Sequence, residues 1–325
     1  MSHSAHRRSF CRGSLWGGAA VLSAGLPGWA RPARAIATSA MSDRRVEQLF
    51  PGMPTTDGAG VHLRRIIGQP ALRNLDPFIL LDRLHSDDPG AYIAGFPDHP
   101  HRGFETVTVM LAGQMRHRDS RGNSGLITGG GAQWMTAGRG IVHSEMPEQD
   151  HGLMSGFQLW INLPAKEKMS PQAYQDLAPA RIAAQKISRA GSLLRVIAGN
   201  ADGLHGPVRP RPTQPLLLTA RLEDDQPLRL ELPPLHTAFV YVARGGVSIG
   251  PERDKDPGEI PAQTLGILGP GRRLRIRARN QSSEILVAAG RPLHEPIVQR
   301  GPFVMNTEAE IQRAIDDYRA GILDR

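Results

Sequence analysis

The sequence predicts an all-β chain of two domains that ends in a short helix. Short runs rich in β-branched and apolar residues recur along it, each closed by glycine, proline, asparagine or aspartate. Glycine (36) and proline (27) are frequent, as tight turns between many strands require. The 325 residues supply material for two cores. No run is long and apolar enough for a membrane-crossing helix, which needs about 20 residues.

Residues 1–35 read as an export signal. Arg7-Arg8-Ser9-Phe10 is a twin arginine, a mild apolar stretch runs from Gly13 to Ala30, and Ala33-Arg34-Ala35 offers small residues for cleavage. The implied route moves folded proteins, which suits a protein that loads metal before crossing, and the expected location is the periplasm. The alternative is translation from Met41, which leaves the protein cytoplasmic. The single cysteine, Cys11, lies inside this segment, so a processed chain has no disulfide, no thiol nucleophile and no thiolate ligand.

The formal charge of +8 also owes much to this segment, which holds five arginines and no acid. The remainder carries 34 basic and 31 acidic residues, and its arginines are not interleaved with aromatics. Direct nucleic-acid binding is therefore not expected. The alternation Arg273, Arg275, Arg277, Arg279 reads as one solvated face of a strand.

Residues 36–50 form a polar lead-in and a first strand. Val61–Gly68 and Pro77–Leu84 hold apolar runs of strand length, and Thr106–Leu111 alternates β-branched residues up to a turn at Gly113. Asp119–Gly125 is a polar turn, and Gly156–Leu163 reads as a long buried strand. Pro164–Leu177 is read as a charged connection, with the domain boundary shortly after it. Beyond it, Pro215–Leu222, Thr237–Gly250, Thr264–Ala278 and Ser283–Ala289 repeat the strand-and-turn habit. Thr307 and Glu310 make a capping-box pattern ahead of a helix whose apolar face is Ile311, Ala314, Ile315 and Tyr318, with Gly321 placed to stop it.

The chemistry is concentrated in two short clusters, His99-Pro100-His101 and His143-Ser144-Glu145. Residues i and i+2 of a strand share a face. Two such strands facing each other across a small barrel offer three nitrogens and one oxygen to a single ion. Burying four such groups without an ion would be costly. His62, His85, His205, His236 and His294 stand alone and read as ordinary surface or core histidines. No H-x-H recurs in the second half. A mixed N/O set of this kind suits Fe(II), and also Mn, Ni, Cu or Zn.

The strings at Phe96–Val107, Gln133–Pro147 and Gly301–Ile311 resemble the pirin family of the cupin superfamily, and the resemblance runs from about Arg44 to the C-terminus. It implies a bicupin, two antiparallel jelly-roll β-barrels packed face to face. The metal-binding barrel is expected over 44–178 and a metal-free one over 186–325. Carried over by position, the ligands are His99, His101, His143 and Glu145. Many other cupins take their carboxylate soon after the H-x-H, which makes Glu105 an alternative ligand. Glu105, Gln133 and His117 are otherwise candidates to support the ligands from behind. Gly129-Gly130-Gly131 departs from a turn that often contains proline in the family, and is expected to loosen a loop near the site.

The resemblance further implies iron and a quercetin 2,3-dioxygenase-type activity, in which a flavonol and dioxygen react with opening of the central ring and release of carbon monoxide. The metal would bind the flavonol 3-hydroxyl, with Glu145 both ligand and catalytic base. Other family members are proposed as metal- or redox-dependent regulators that bind a protein partner, which is the alternative function. A two-barrel chain of this kind can stand alone as a monomer.

Overall fold

The computed structural model describes residues 42–279 and 282–325. The twin-arginine segment, Cys11 and Met41 lie outside them. The described chain is almost entirely antiparallel sheet and forms two barrels built on one plan, each a seven-stranded sheet curled against a four-stranded one.

In the first barrel the large sheet runs Ala173–Leu177, Ala132–Thr136, Phe104–Ala112, Met154–Asn162, Phe78–Ser86, Val61–Ile67 and Met53–Asp57. Its small sheet runs Phe96–His101, Ile141–Pro147, Gln114–Asp119 and Ser124–Thr128. In the second barrel the large sheet runs Val46–Pro51, Thr264–Leu268, Thr237–Arg244, Ser283–Gly290, Leu216–Leu222, Leu193–Ala198 and Ala183–Lys186. Leu228–Glu231, Arg273–Ala278, Gly246–Ile249 and Gly258–Pro261 close it.

The two large sheets pack face to face, and side-chain alternation divides each strand between two cores. Phe239 and Tyr241 point across to the other barrel, where they join Val107, Val109, Phe157 and Leu159 in one buried cluster. Their neighbours Ala238, Val240 and Val242 fill their own barrel with Leu218, Val287 and Leu274. Each valine, leucine or phenylalanine among them contributes about 1.5–3 kcal/mol on burial.

The strand Val46–Pro51 differs from the sequence expectation, because it pairs with Thr264–Leu268 of the second barrel. Arg44 anchors this crossing. It is 1% exposed and donates to the carbonyls of Gly271 (2.7 Å), Gly269 (2.9 Å), Pro233 (2.8 Å) and His236 (3.0 Å). The connection Pro164–Leu177 also differs: its last five residues, Ala173–Leu177, are an edge strand on Ala132–Thr136. That strand is mostly polar and half-exposed, so it carries no apolar run to betray it.

The helix is Glu308–Arg319, with the Thr307–Glu310 capping box formed and Gly321 in the left-handed region just beyond it (φ 67°). Ile311 and Ala314 are buried, whereas Tyr318 is 42% exposed and touches only the edge of the apolar face, its ring 6.3 Å from Phe303. The alternating arginines lie on and just after the strand Arg273–Ala278, and three are matched by acids: Arg273 and Arg275 by Asp43 and Arg279 by Glu259. No helix among the described residues is long and apolar enough to cross a membrane.

Candidate metal centre

The small sheet of the first barrel brings the two clusters together as adjacent antiparallel strands. His143 lies directly across from His99, and a register shift between His143 and Glu145 sets Glu145 opposite Phe96. The possible ligand atoms of His99, His101 and His143 all lie within 4.8 Å of one another. The ring centroids are 4.4 Å apart for His99–His143 and 4.9 Å for His101–His143.

The protein orients each ring through one nitrogen. His99 Nδ1 is 2.8 Å from the Pro97 carbonyl, so it donates there and leaves its lone pair on Nε2. The Pro302 backbone hydrogen-bonds His101, whose Nδ1 is buried without a partner. His143 Nδ1 is 3.3 Å from His117 Nδ1, and His143 Nε2 is buried without a partner. Burial, reinforced by the neighbouring histidines, holds the pKa values of His101 and His143 well below the usual histidine range. Two buried imidazoles with unpaired nitrogens, clustered with His99, fit a transition-metal ion.

Glu145 lines the same cavity but is not one of the three groups within that 4.8 Å cluster. Its carboxylate is gripped from the large sheet: Thr108 Oγ1 donates to Oε1 at 2.9 Å and Gln158 Nε2 donates to Oε2 at 2.7 Å. Thr108 and Gln158 are cross-strand partners on the inner face of that sheet. Neither stands out by motif or spacing, although Gln158 is a visible polar break in the apolar run Phe157 to Leu163.

The supporting candidates divide. His117 is buried behind His143, in keeping with the expectation that it supports a ligand, and its tilted ring lies 4.6 Å from that of Tyr174. Gln133 lies across from Thr108 on the same face of the sheet and donates to Asp176 Oδ1 at 2.7 Å. Glu105 faces out of the barrel altogether. On the strand Phe104–Ala112 it has the parity of Val107 and Val109, which point to the other barrel, and not of Thr108. Its Oε1 accepts from Thr136 (2.8 Å) and from Arg211 of the second half, so it is neither a ligand nor a support of one. The Gly129–Gly131 loop likewise sits away from the histidines, where the Gly130 carbonyl accepts from Arg195.

The triad and Glu145 open onto a cavity of about 1130 Å³ that Trp160, Gln158, Leu63 and Leu84 help to line. The corresponding interior of the second barrel is filled with leucine, valine and isoleucine. Among the described residues, the histidine triad is the one cluster of this kind.

Residues 60–161 match the family profile described as Pirin, and residues 217–324 match that of the Pirin C-terminal cupin domain. A Pseudomonas aeruginosa protein named "Putative quercetin 2,3-dioxygenase" is 47% identical over 285 residues, covering 86% of this chain and 98% of that protein. Human pirin is 43% identical over 269 residues, covering 81% of this chain and 88% of that protein. A crystal structure of quercetin 2,3-dioxygenase from Acinetobacter baumannii superposes with a TM-score of 0.79 at 34% identity, covering 87% of this chain and 99% of the other.

Proposed function

The chain belongs to the pirin family, and from that premise we propose that it is an iron-dependent dioxygenase of the quercetin 2,3-dioxygenase type, acting on flavonols. The observation that carries this reading is the triad of clustered histidines beside a roomy cavity of mixed polar and apolar lining that also holds a carboxylate. Two relatives are named for the same activity.

His99, His101 and His143 would hold the metal, with Glu145 as a further ligand. Bound there, Fe(II) supplies Lewis acidity toward the flavonol oxygens and redox capacity toward dioxygen. The rest is work for the chain. Trp160 and the leucines of the cavity bury the flat ring system and exclude water. Glu145, which lines the same cavity as the histidines, would accept the proton of the flavonol 3-hydroxyl. Thr108 and Gln158 fix the direction in which the carboxylate points, since each holds one oxygen.

The test is oxygen uptake by protein loaded anaerobically with Fe(II) and given quercetin, with carbon monoxide assayed in the headspace. Stoichiometric carbon monoxide that disappears in His101→Ala supports the reading. Bound iron without oxygen uptake sinks it in favour of a metal-dependent regulator. We further propose export through the twin-arginine segment. Recovery of the protein in a cytoplasmic fraction with an intact N-terminus would overturn that.

A further inference from the structure

The wall of the cavity holds a buried acid that the chemistry above does not use. Along the strand Phe78–Ser86 the cavity meets Leu80, Asp82 and Leu84, and Leu63 lies on the strand beside them. Asp82 is thus an acid set among leucines, 4% exposed. Arg65 grips both of its oxygens, Nε donating to Oδ1 at 3.0 Å and Nη2 to Oδ2 at 2.7 Å. Asp57 steadies the same guanidinium at 2.6 Å. Burial outweighs the cation and pushes Asp82 up to about 6.

A buried ion pair is weak evidence of a role in stability. Replacing a buried ion pair with apolar residues of similar volume is commonly neutral or stabilising. Its position is informative instead. Asp82 is the cross-strand neighbour of Gln158, which donates to Glu145. Adjacent strands lie about 4.8 Å apart, so Asp82 stands one strand beyond Gln158 on the same cavity wall, further from Glu145. Each Asp82 oxygen accepts one bond from Arg65 and retains a lone pair for another donor.

We propose that Asp82, held by Arg65, is a specificity-determining residue that accepts a hydrogen bond from a phenolic hydroxyl on the part of the substrate remote from the metal. The cavity then selects polyhydroxylated flavonols over plain ones. The inference rests on the flavonol reading above.

The experiment is an anaerobic absorbance titration of metal-loaded protein with two ligands. Quercetin carries several ring hydroxyls, whereas 3-hydroxyflavone keeps only the 3-hydroxyl and 4-carbonyl that face the metal. Wild-type protein is compared with D82N and with the charge-free double variant D82L with R65L, metal content being measured in each. In the double variant quercetin binding weakens at least about tenfold, while 3-hydroxyflavone changes less than about twofold. D82N shows the same selective loss to a smaller degree, and serves alone if the double variant does not fold. Unchanged quercetin binding, equal loss of both ligands, or parallel loss of metal each overturns the proposal while leaving the flavonol reading in place. Wild-type protein that binds neither ligand overturns both.

Discussion

At the scale of single residues, the metal centre depends on which nitrogen of each histidine the protein already occupies. His143 is the sharpest case: His117 faces its Nδ1, and its Nε2 is buried with no protein partner. His143→Ala or His101→Ala is therefore expected to abolish stoichiometric metal, measured by elemental analysis after anaerobic reconstitution. Full metal retention in either variant would break the assignment. Thr108→Val with Gln158→Leu removes both grips on Glu145 but no ligand, and should weaken metal affinity about 10–100-fold, read by competition with a chelator of known affinity. The histidines were legible because an i, i+2 spacing already implies a shared face. Glu105 shows the limit of that reading. It is close to the H-x-H in sequence, yet one step of strand parity sends it to the opposite side of the sheet, and no spacing rule fixes that parity until the register is known. Thr108 and Gln158 were harder still, since a lone polar residue in an apolar strand does not declare which carboxylate it serves.

At the scale of elements, the end of the chain braces the strand that carries His101. Arg102, 3% exposed, donates to Asp317 of the helix at 2.7 Å and to the Leu323 carbonyl at 3.0 Å. Gly103 has φ +92°, and a Cβ there would overlap the Val304 carbonyl oxygen, so the hairpin Val298–Arg300/Phe303–Met305 can approach only a glycine. Lys168 ties the two together. Its buried Nζ donates to the carbonyls of Gly103 (2.8 Å) and Val304 (2.9 Å) and to Asn162 Oδ1 (2.6 Å). Lys168→Met keeps the stem but leaves these acceptors buried and unpaired, and should cost about 2–4 kcal/mol in urea denaturation. Burial also pushes Lys168 down to about 7, whereas an unfolded lysine titrates near about 10.4. Between those values the unfolded chain holds the extra proton, so stability rises with pH across that window, and the rise should vanish in Lys168→Met. The helix was readable from its capping box and period. Its task was not, because Arg102 and Asp317 are 215 positions apart and only the fold joins them.

At the scale of the whole molecule, one architecture is used twice with opposite interiors. The second barrel is packed with aliphatic side chains, and the first keeps a polar, hollow one. A barrel with a cavity forgoes part of its own core, and the shared face supplies what is missing: Phe78 meets Phe239 edge-on at 5.1 Å and Phe157 meets Tyr241 at 5.9 Å. Two barrels were foreseeable from length and punctuation. That the first strand belongs to the second barrel was not, because Val46–Pro51 reads like any edge strand and only Arg44 and its carbonyls reveal the destination. Within this largely apolar seam stands the Glu105–Arg211 pair, with Glu105 fully buried and Arg211 partly exposed. Burial raises the pKa of Glu105 and Arg211 opposes the rise, so the carboxylate depends on a partner from the other half of the chain. Arg211→Met strands that acid in the seam and should cost about 3–5 kcal/mol. Glu105→Leu added to Arg211→Met removes the stranded group and should restore most of the loss. Calorimetry on the single and double variants decides between two roles. Recovery in the double variant makes the pair a device for aligning the barrels at little net stability, whereas a loss that persists makes it part of what holds them together.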